Sequence, residues 1–162
     1  MIEVKNLNKT FNLGKFNETI AVKDVNLRIR DKSIVAFTGP SGCGKTTVLS
    51  MIGLILTPTS GEILFDGDNL MSTTDSYKTN FRKEKFGFIF QHINLLSSYT
   101  AIENILLPLF SFDMEPKKYE ERAYEWMKTL GVHERATHLV AQLSGGEQQR
   151  VSVARALMNE PI

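Results

Sequence analysis

One short stretch in the first third of the chain restricts its fold more than any other. The residues Gly39-Pro40-Ser41-Gly42-Cys43-Gly44-Lys45-Thr46 match the spacing G-x-x-x-x-G-K-[ST]. The apolar run Ile34-Val35-Ala36-Phe37 comes shortly before them and predicts a parallel strand that is buried on both faces. The segment after them carries apolar residues at helical spacing, which we expect to face the sheet: Val48, Leu49, Ile52 and Ile55. A strand, a glycine loop and a helix in this order predict a phosphate-binding loop.

The residue types of this loop agree with phosphate binding. Its glycines allow backbone N–H groups to surround phosphates, and the helix that follows presents its positive N-terminal end to them. We expect Lys45 to reach the β- and γ-phosphates, Thr46 to place its hydroxyl on Mg²⁺ and Thr47 to add a further donor. Cys43 occupies a free position of the pattern, so a small filler residue is favoured over a redox role. The alternative is a glycine-rich turn that binds nothing.

The composition excludes disordered and fibrous proteins. The chain has 162 residues, of which 42% are apolar and 23% charged, as is typical of one globular domain. Its 19 basic and 18 acidic residues give a net charge of +1, so we expect no nucleic-acid partner. No apolar run is long enough to span a bilayer, and the N-terminus lacks the apolar core of a signal peptide. These features predict a cytoplasmic protein.

Apolar patterns predict four more strands, at residues 2–7, 24–30, 61–65 and 86–90. In the second of these, Val25, Leu27 and Ile29 alternate with polar residues, as in a half-buried antiparallel strand. The third leads into an Asp66-Gly67 turn, and the fourth ends at Gln91.

The predicted loop between the first two strands carries two aromatic residues. Phe11 and Phe16 are each placed where an exposed ring can stack on a nucleobase. They are equally suited to cover the edge of the sheet, and spacing leaves the two interpretations open.

From Gln91 to about Gln142 the pattern is helical. Residues 101–112 predict a helix that Pro108 breaks near its end. A second helix is predicted to open at Glu115-Pro116 and to stop at Gly131. Its apolar stripe predicts a buried face of Tyr119, Ala123, Trp126, Met127 and Leu130.

A second motif precedes the last helix of the chain, whose predicted face is Val151, Ala154, Leu157 and Met158. In Leu143-Ser144-Gly145-Gly146-Glu147-Gln148-Gln149-Arg150, the serine and glutamate stand three apart, as in a capping box. The two glycines carry no side chains, which leaves the N-terminus of the helix bare for an anion. A plain capping box over a core helix explains the same residues equally well.

This octapeptide resembles the signature motif of the ATP-binding cassette (ABC) family, and the resemblance covers essentially the whole chain. It implies that Gly39 to Thr47 form the nucleotide loop and that Phe11 stacks on adenine, although tyrosine is usual at that position. Gln91 resembles the glutamine that touches Mg²⁺ and the attacking water and senses the transport partner. The signature residues are expected to contact the γ-phosphate of ATP held by a second copy of the domain: Ser144, Gly145, Gly146, Glu147 and Gln148. Lys45, Gln91 and Ser144 are the implied catalytic residues.

The resemblance also implies a fold and a function. The fold is an α/β phosphate-loop NTPase with a RecA-like core, N-terminal antiparallel strands and an inserted α-helical subdomain. Residues 1–91 would form the core and β subdomain, 92–142 the helical subdomain, and 143–162 the signature and the helix that returns to the core. The function is ATP binding and hydrolysis, with Mg²⁺, in a subunit that powers a separate membrane permease and closes head to tail with a second ABC domain. Such a subunit is cytoplasmic and lies on the inner face of the membrane through the permease.

Two segments resemble one bacterial group within the family, which includes macrolide exporters, lipoprotein-releasing systems and bacitracin-type peptide-resistance transporters. They are residues 86–91 and 103–109. Exposed apolar residues near Leu95, Leu96 and Tyr99 are candidates for docking the permease, with burial inside the helical region as the equal alternative.

The sequence departs from the family pattern at its end. Ile162 stands where the family enters an apolar strand that supplies an aspartate for Mg²⁺ and a glutamate for the attacking water. We therefore expect a truncated chain that lacks a central strand and does not hydrolyse ATP alone. The alternatives are a soluble ABC ATPase that acts on ribosomes or DNA, and a non-hydrolysing ATP-binding fragment.

Overall fold

The structure, a computed structural model, describes residues 1–111 and 116–161. The chain divides into two compact units, Met1–Arg82 and Lys83–Ile162. Phe112 and Glu115, at the predicted end of one helix and start of the next, lie outside the described residues. The predicted division at residues 91 and 142 stays a prediction.

The first unit contains a four-stranded antiparallel sheet in the order β2-β1-β3-β4. The strands are β1 (Ile2–Phe11), β2 (Thr19–Ile29), β3 (Ser60–Phe65) and β4 (Asp68–Asn69). In β2, the partly covered Val25, Leu27 and Ile29 alternate with exposed residues, which confirms the half-buried pattern predicted for this strand. Asp66 and Gly67 both have positive φ, as a two-residue hairpin turn between β3 and β4 requires. Three of the predicted strands are therefore confirmed.

Helix α1 (Lys45–Ile52) packs on this sheet. Its buried face consists of Val48, Met51 and Ile52, at the i, i+3, i+4 spacing of one helix side. The predicted contribution of Leu49 and Ile55 to this face is wrong, since each is half exposed. Leu49 turns away from the row that starts at Val48, and Ile55 lies beyond the end of the helix.

Two predicted strands, 34–37 and 86–90, are not formed in the part of the chain that the structure describes. Ile34 is fully exposed, and Val35 and Ile89 are about half exposed. Their residue types suit a strand, but a strand also requires a neighbour that satisfies its N–H and C=O groups. The described sheet has only its four antiparallel members, so the prediction of buried parallel strands here is wrong.

The second unit is helical. Its helices are α3 (Ala101–Leu106), α4 (Pro116–Thr129) and α5 (Gly145–Leu157), and α2 (Asp75–Lys85) crosses the boundary between the units in sequence. Helix α3 passes into a 3₁₀ turn over Leu107–Ser111, which confirms the break near Pro108. Gly87 approaches α5 so closely that a β-carbon there would overlap the carbonyl oxygen of Ala156.

A single apolar cluster joins α3, α4 and α5. Tyr119, Ala123 and Met127 of α4 are buried in it, and Trp126 and Leu130 pack against it, so the predicted face is confirmed. From α5 it receives Val151, Ala154 and Met158, whereas Leu157 of the predicted face is only partly covered. Gly131 ends the α4 segment in a left-handed conformation.

Met127→Ala tests how much this core stabilises the helical unit. Met127 is fully buried, so we expect its truncation to cost about 2–5 kcal/mol of unfolding free energy, from lost burial and a residual cavity. Urea denaturation followed by circular dichroism measures the change. Lys128→Ala, at the next and exposed position, is the control and should stay within about 0.5 kcal/mol of the parent. Equal effects of the two substitutions would contradict the packing described.

Candidate functional site

The glycine loop leads into α1 through three residues with positive φ. Gly39, Gly42 and Gly44 have φ of 149°, 80° and 91°, values that favour glycine. A β-carbon on Gly44 would also lie 2.5 Å from the carbonyl oxygen of Ala21 in β2. The loop thus requires glycine at Gly44 for two separate reasons, conformation and close approach.

The N-terminus of α1 is open. Gly44 caps the helix without a side-chain hydrogen bond, and its first turn carries no acidic residue. The first N–H groups of a helix have no partner within it, and the helix dipole makes this end positive. Thr46 is exposed and Thr47 partly covered within that turn. This arrangement fits an anion with several oxygen atoms, such as a polyphosphate.

Lys45 lies over the loop that precedes it. Its Nζ donates to the carbonyl oxygens of Gly39 at 2.9 Å and Pro40 at 2.7 Å, and it lies 3.6 Å from Sγ of Cys43. Cys43 is an exposed free thiol, and Ser41 is also exposed. The structure therefore gathers the loop residues and the lysine ammonium at one end of α1.

Phe11 is the last residue of β1 in the same unit, so its predicted place in the loop is wrong, because the strand continues to pair with β2 as far as Thr19. Its ring is 39% exposed, and Nζ of Lys9 lies 5.3 Å from the ring centroid, a cation–π distance. Lys9 and Phe11 share one face of the strand because they are two residues apart. Phe16 is fully exposed, so it does not cover the edge of the sheet. The accessible ring of Phe11 suits the predicted stacking role, which stays a prediction.

The signature motif starts α5 with the predicted capping box. Ser144 Oγ accepts from the N–H of Glu147 at 3.3 Å, while the N–H of Ser144 donates to Glu147 Oε2 at 2.8 Å. Nε of Arg135 donates to Glu147 Oε1 at 2.7 Å. Arg135 and the two groups of Ser144 hold the pKa of Glu147 at about 2, below its ordinary value of 4.5.

Two signature residues differ in what surrounds them. A β-carbon added to Gly145 would meet open space. Within the described residues, nothing lies within 4 Å of it except the chain neighbours of Gly145 and the backbone of the same helix. Gln148 is engaged within its unit, since its Nε2 donates to the carbonyl oxygens of Val140 at 3.1 Å and Leu143 at 3.0 Å. Open space over Gly145 leaves this end of α5 accessible to a group from outside.

Gln91 and His92 are exposed in the segment before α3. The segment after them is held by Asn104, a fully buried side chain of α3. Asn104 accepts from the N–H of Leu96 at 2.7 Å and donates to the carbonyl oxygens of Leu96 and Thr100, each at 3.0 Å. Sequence reasoning missed Asn104, although a polar residue between the buried Ala101 and Ile105 was a usable signal.

Residues of both units thus contribute predicted site groups. In the first unit the structure brings together Lys45, Thr46, Thr47 and the loop glycines. In the second, Gln91 and the signature belong to the same unit as Arg135 and Asn104, which sequence reasoning did not identify. No cluster of three or more His, Cys, Asp or Glu side chains suited to a metal occurs within residues 1–111 and 116–161.

Comparison with known proteins identifies the family. The sequence profile described as "ABC transporter" matches residues 22–162. The chain belongs to the ABC transporter family. It is 41% identical over 161 residues to an uncharacterized ABC transporter ATP-binding protein of Methanocaldococcus jannaschii, covering 99% of this chain and 71% of that relative. It is 43% identical over 159 residues to the macrolide export ATP-binding/permease protein MacB of Aggregatibacter actinomycetemcomitans, covering 98% of this chain and 24% of that relative.

Solved structures agree with the sequence relatives. A dimeric ABC transporter cassette matches with a TM-score of 0.90 and 41% identity, over 99% of this chain and 71% of that one. A second structure with the same TM-score and identity is a post-hydrolysis dimer bound to ADP and Pi. The α/β phosphate-loop NTPase fold and the predicted ABC family are confirmed. Coverage of 71% agrees with the expectation that the family's domain is longer than this chain.

No helix in the described parts of this ABC chain is both long and apolar enough to cross a bilayer.

The pKa of Glu147 makes a prediction about pH. A carboxylate with a lowered folded-state pKa stabilises the fold above its unfolded pKa and loses that contribution as the pH falls through the folded value. The advantage of the parent over Glu147→Gln should therefore be full above about pH 4.5 and should decline toward pH 2. Urea midpoints of both proteins between pH 7 and 2 measure it. A difference independent of pH would show that the capping box and the Arg135 pair do not depend on the charge of Glu147.

Proposed function

We propose that this chain is the ATP-binding part of a transporter ATPase that binds and hydrolyses ATP with Mg²⁺ to power a membrane permease. The single observation that carries the proposal is the bare, glycine-capped N-terminus of α1 with Lys45 beside it. The exposed ring of Phe11 offers a surface for the adenine. The structural relative in a post-hydrolysis state with ADP and Pi supports the same ligand class.

ATP binding would use the loop in three ways. Backbone N–H groups at the start of α1 would donate to phosphate oxygens, and the helix dipole would stabilise their charge. Lys45 would exchange its bonds to the Gly39 and Pro40 carbonyl oxygens for phosphate oxygens. Thr46, exposed in the first turn, would offer a hydroxyl ligand to Mg²⁺, and Gln91 an amide oxygen. When bound, the Mg²⁺ ion supplies positive charge that stabilises the transferring phosphoryl group.

The signature would act on ATP held by a second copy. The open space over Gly145 and the exposed position of Ser144 support this reading. Glycine in the first turns of a helix lowers its intrinsic stability, so the fold of α5 alone gives no reason for Gly145. Close approach of a partner's nucleotide would give one. The dimeric structural relative supports a second ABC domain as the partner.

A permease would dock on the helical unit. Leu96 and Tyr99 of the predicted surface are exposed and stay candidates for docking, whereas Leu95 packs against the core, as the alternative of burial predicted. Leu139 adds a third exposed apolar side chain, because Val140 N–H donates to the Tyr99 carbonyl oxygen at 3.0 Å and brings the two segments together. The relative MacB, whose name joins ATP-binding and permease functions, supports a permease as the partner. The ATPase would then lie on the cytoplasmic face of the membrane.

Lys45→Ala tests the nucleotide site. Loss of the charged hydrogen bonds from Lys45 to phosphate should weaken ATP binding by roughly tenfold to a hundredfold. Isothermal titration calorimetry with Mg-ATP on this chain measures the dissociation constant. Lys23→Ala, which removes an exposed cation from β2, is the control and should bind as the parent does. ATP affinity that is equal in all three proteins would exclude the glycine loop as the nucleotide site.

Gly145→Ala separates folding from catalysis. Alanine should stabilise the helical unit by up to about 1 kcal/mol, because it favours helix and meets open space. The same methyl group should obstruct the approach of a partner's ATP, so turnover by the complete ATPase subunit should fall while its stability rises. Steady-state ATP hydrolysis and thermal unfolding measure the two effects, with Lys128→Ala as the exposed control. Unchanged turnover in a stabilised Gly145→Ala protein would exclude contact between Gly145 and the nucleotide.

A further inference from the structure

Arg155 is a charged side chain in the last turn of α5 whose neighbours in sequence, Ala154 and Ala156, are buried. Burial lowers the pKa of its guanidinium. No acidic side chain within residues 1–111 and 116–161 forms an ion pair with it. A partly desolvated cation without a carboxylate is costly unless other acceptors satisfy it, so its actual contacts matter.

Those contacts are with main-chain oxygens. Nη1 of Arg155 donates to the carbonyl oxygen of Asn94 at 2.8 Å, and Nη2 lies 3.3 Å from the carbonyl oxygen of Ile93. The planar guanidinium is suited to two neighbouring acceptors at once. Ile93 and Asn94 are the second and third residues after Gln91. Arg155 therefore holds the chain immediately after the proposed catalytic glutamine.

The chain before Gln91 passes close to the same turn of α5. At Gly87, a β-carbon would overlap the carbonyl oxygen of Ala156, the residue next to Arg155. Two adjacent residues of one helix thus contact the chain on both sides of Gln91. Further along, the buried Asn104 fixes the segment at Leu96 and Thr100. Gln91 and His92 lie between these attachments.

The other end of α5 begins with the signature, since Ser144 caps the helix. A helix of 13 residues is a rigid connection of about 20 Å. We propose that Arg155 is a positioning residue that fixes Gln91 relative to the signature helix, so that the two move as one body during the ATPase cycle. This inference rests on the proposed function, because that function assigns Gln91 to the ATP held by this chain and Ser144 to the ATP held by a second copy.

A positioning role predicts a specific pattern of change. The glycine loop, which would supply most of the binding energy for ATP, belongs to the first unit, whereas Arg155 and its two acceptors belong to the second. Loss of Arg155 should therefore lower kcat with little change in KM for ATP. It should also loosen the backbone around Gln91 while the core of α4 stays protected.

The test compares Arg155→Met, Arg155→Lys and, as control, Lys128→Met, which removes an exposed cation from the same unit. Hydrogen exchange followed by mass spectrometry on this chain should show faster exchange within the region 91–96 in Arg155→Met. The amide that reports it is that of Leu96, which donates to Asn104 Oδ1 and should exchange about tenfold faster, because loss of the guanidinium bonds to Asn94 and Ile93 lets the segment open more often. Arg155→Lys should be intermediate, because an ammonium reaches one carbonyl oxygen in place of two. Lys128→Met should match the parent.

The second measurement is the rate of ATP hydrolysis by the complete ATPase subunit. We expect kcat to fall at least fivefold in Arg155→Met, less in Arg155→Lys, with KM within about twofold of the parent. Unchanged exchange at 91–96, or unchanged kcat despite faster exchange, would overturn the inference. If Arg155→Met also speeds exchange in the α4 core, the Arg155→Lys variant is used to test the positioning role. Faster exchange at 91–96 with an unchanged kcat in Arg155→Lys would then overturn that role. If the parent subunit does not hydrolyse ATP, the proposed function fails, and the exchange measurement still shows whether Arg155 holds the segment.

Discussion

The first N–H groups of an α-helix have no partner inside the helix, and this constraint governs both functional helices of the chain. Helix α5 satisfies part of its N-terminus with its own residues, through Ser144 and Glu147. Helix α1 does not, because Gly44 has no side chain to offer. One helix start is therefore partly satisfied within the fold, whereas the other has no side-chain cap. This difference supports our proposal that the glycine loop is the primary anion site and that the signature is a preformed surface.

Arg135 extends this arrangement into the rest of the helical unit. Its bond to Glu147 connects the capping box to the 3₁₀ turn His133–Arg135, and Gln148 connects the same helix to the turn Val140–Gln142. The signature is thus held from several directions before any partner arrives. Preorganised donors of this kind need little rearrangement when charge develops on a ligand, which is how fixed dipoles contribute most to catalysis.

Local patterns were the predictable part of this protein. The glycine loop, the capping box and the face of α4 depend on residues close in sequence, so their spacing was enough to identify them. The strands at 34–37 and 86–90 were predicted wrongly because pairing depends on a neighbour elsewhere in the chain, which an apolar run does not reveal. Arg155 and Asn104 escaped prediction for another reason. Their partners are backbone carbonyl and N–H groups, which nearly every residue possesses, so no sequence pattern identifies those partners. The polar residue between Ala101 and Ile105 was a signal for Asn104 itself, and Arg155 had none.

The bonds from Lys45 to its own loop have a consequence for affinity. An ammonium that already donates to two carbonyl oxygens does not gain the full strength of a new bond when an anion arrives. It gains only the difference between a charged acceptor and a neutral one, which is about 1 kcal/mol or somewhat more per bond. A single weak acceptor would therefore gain too little free energy to displace the lysine from its two carbonyl oxygens. If the loop binds phosphate as proposed, it should therefore favour ligands that offer several charged oxygens at once.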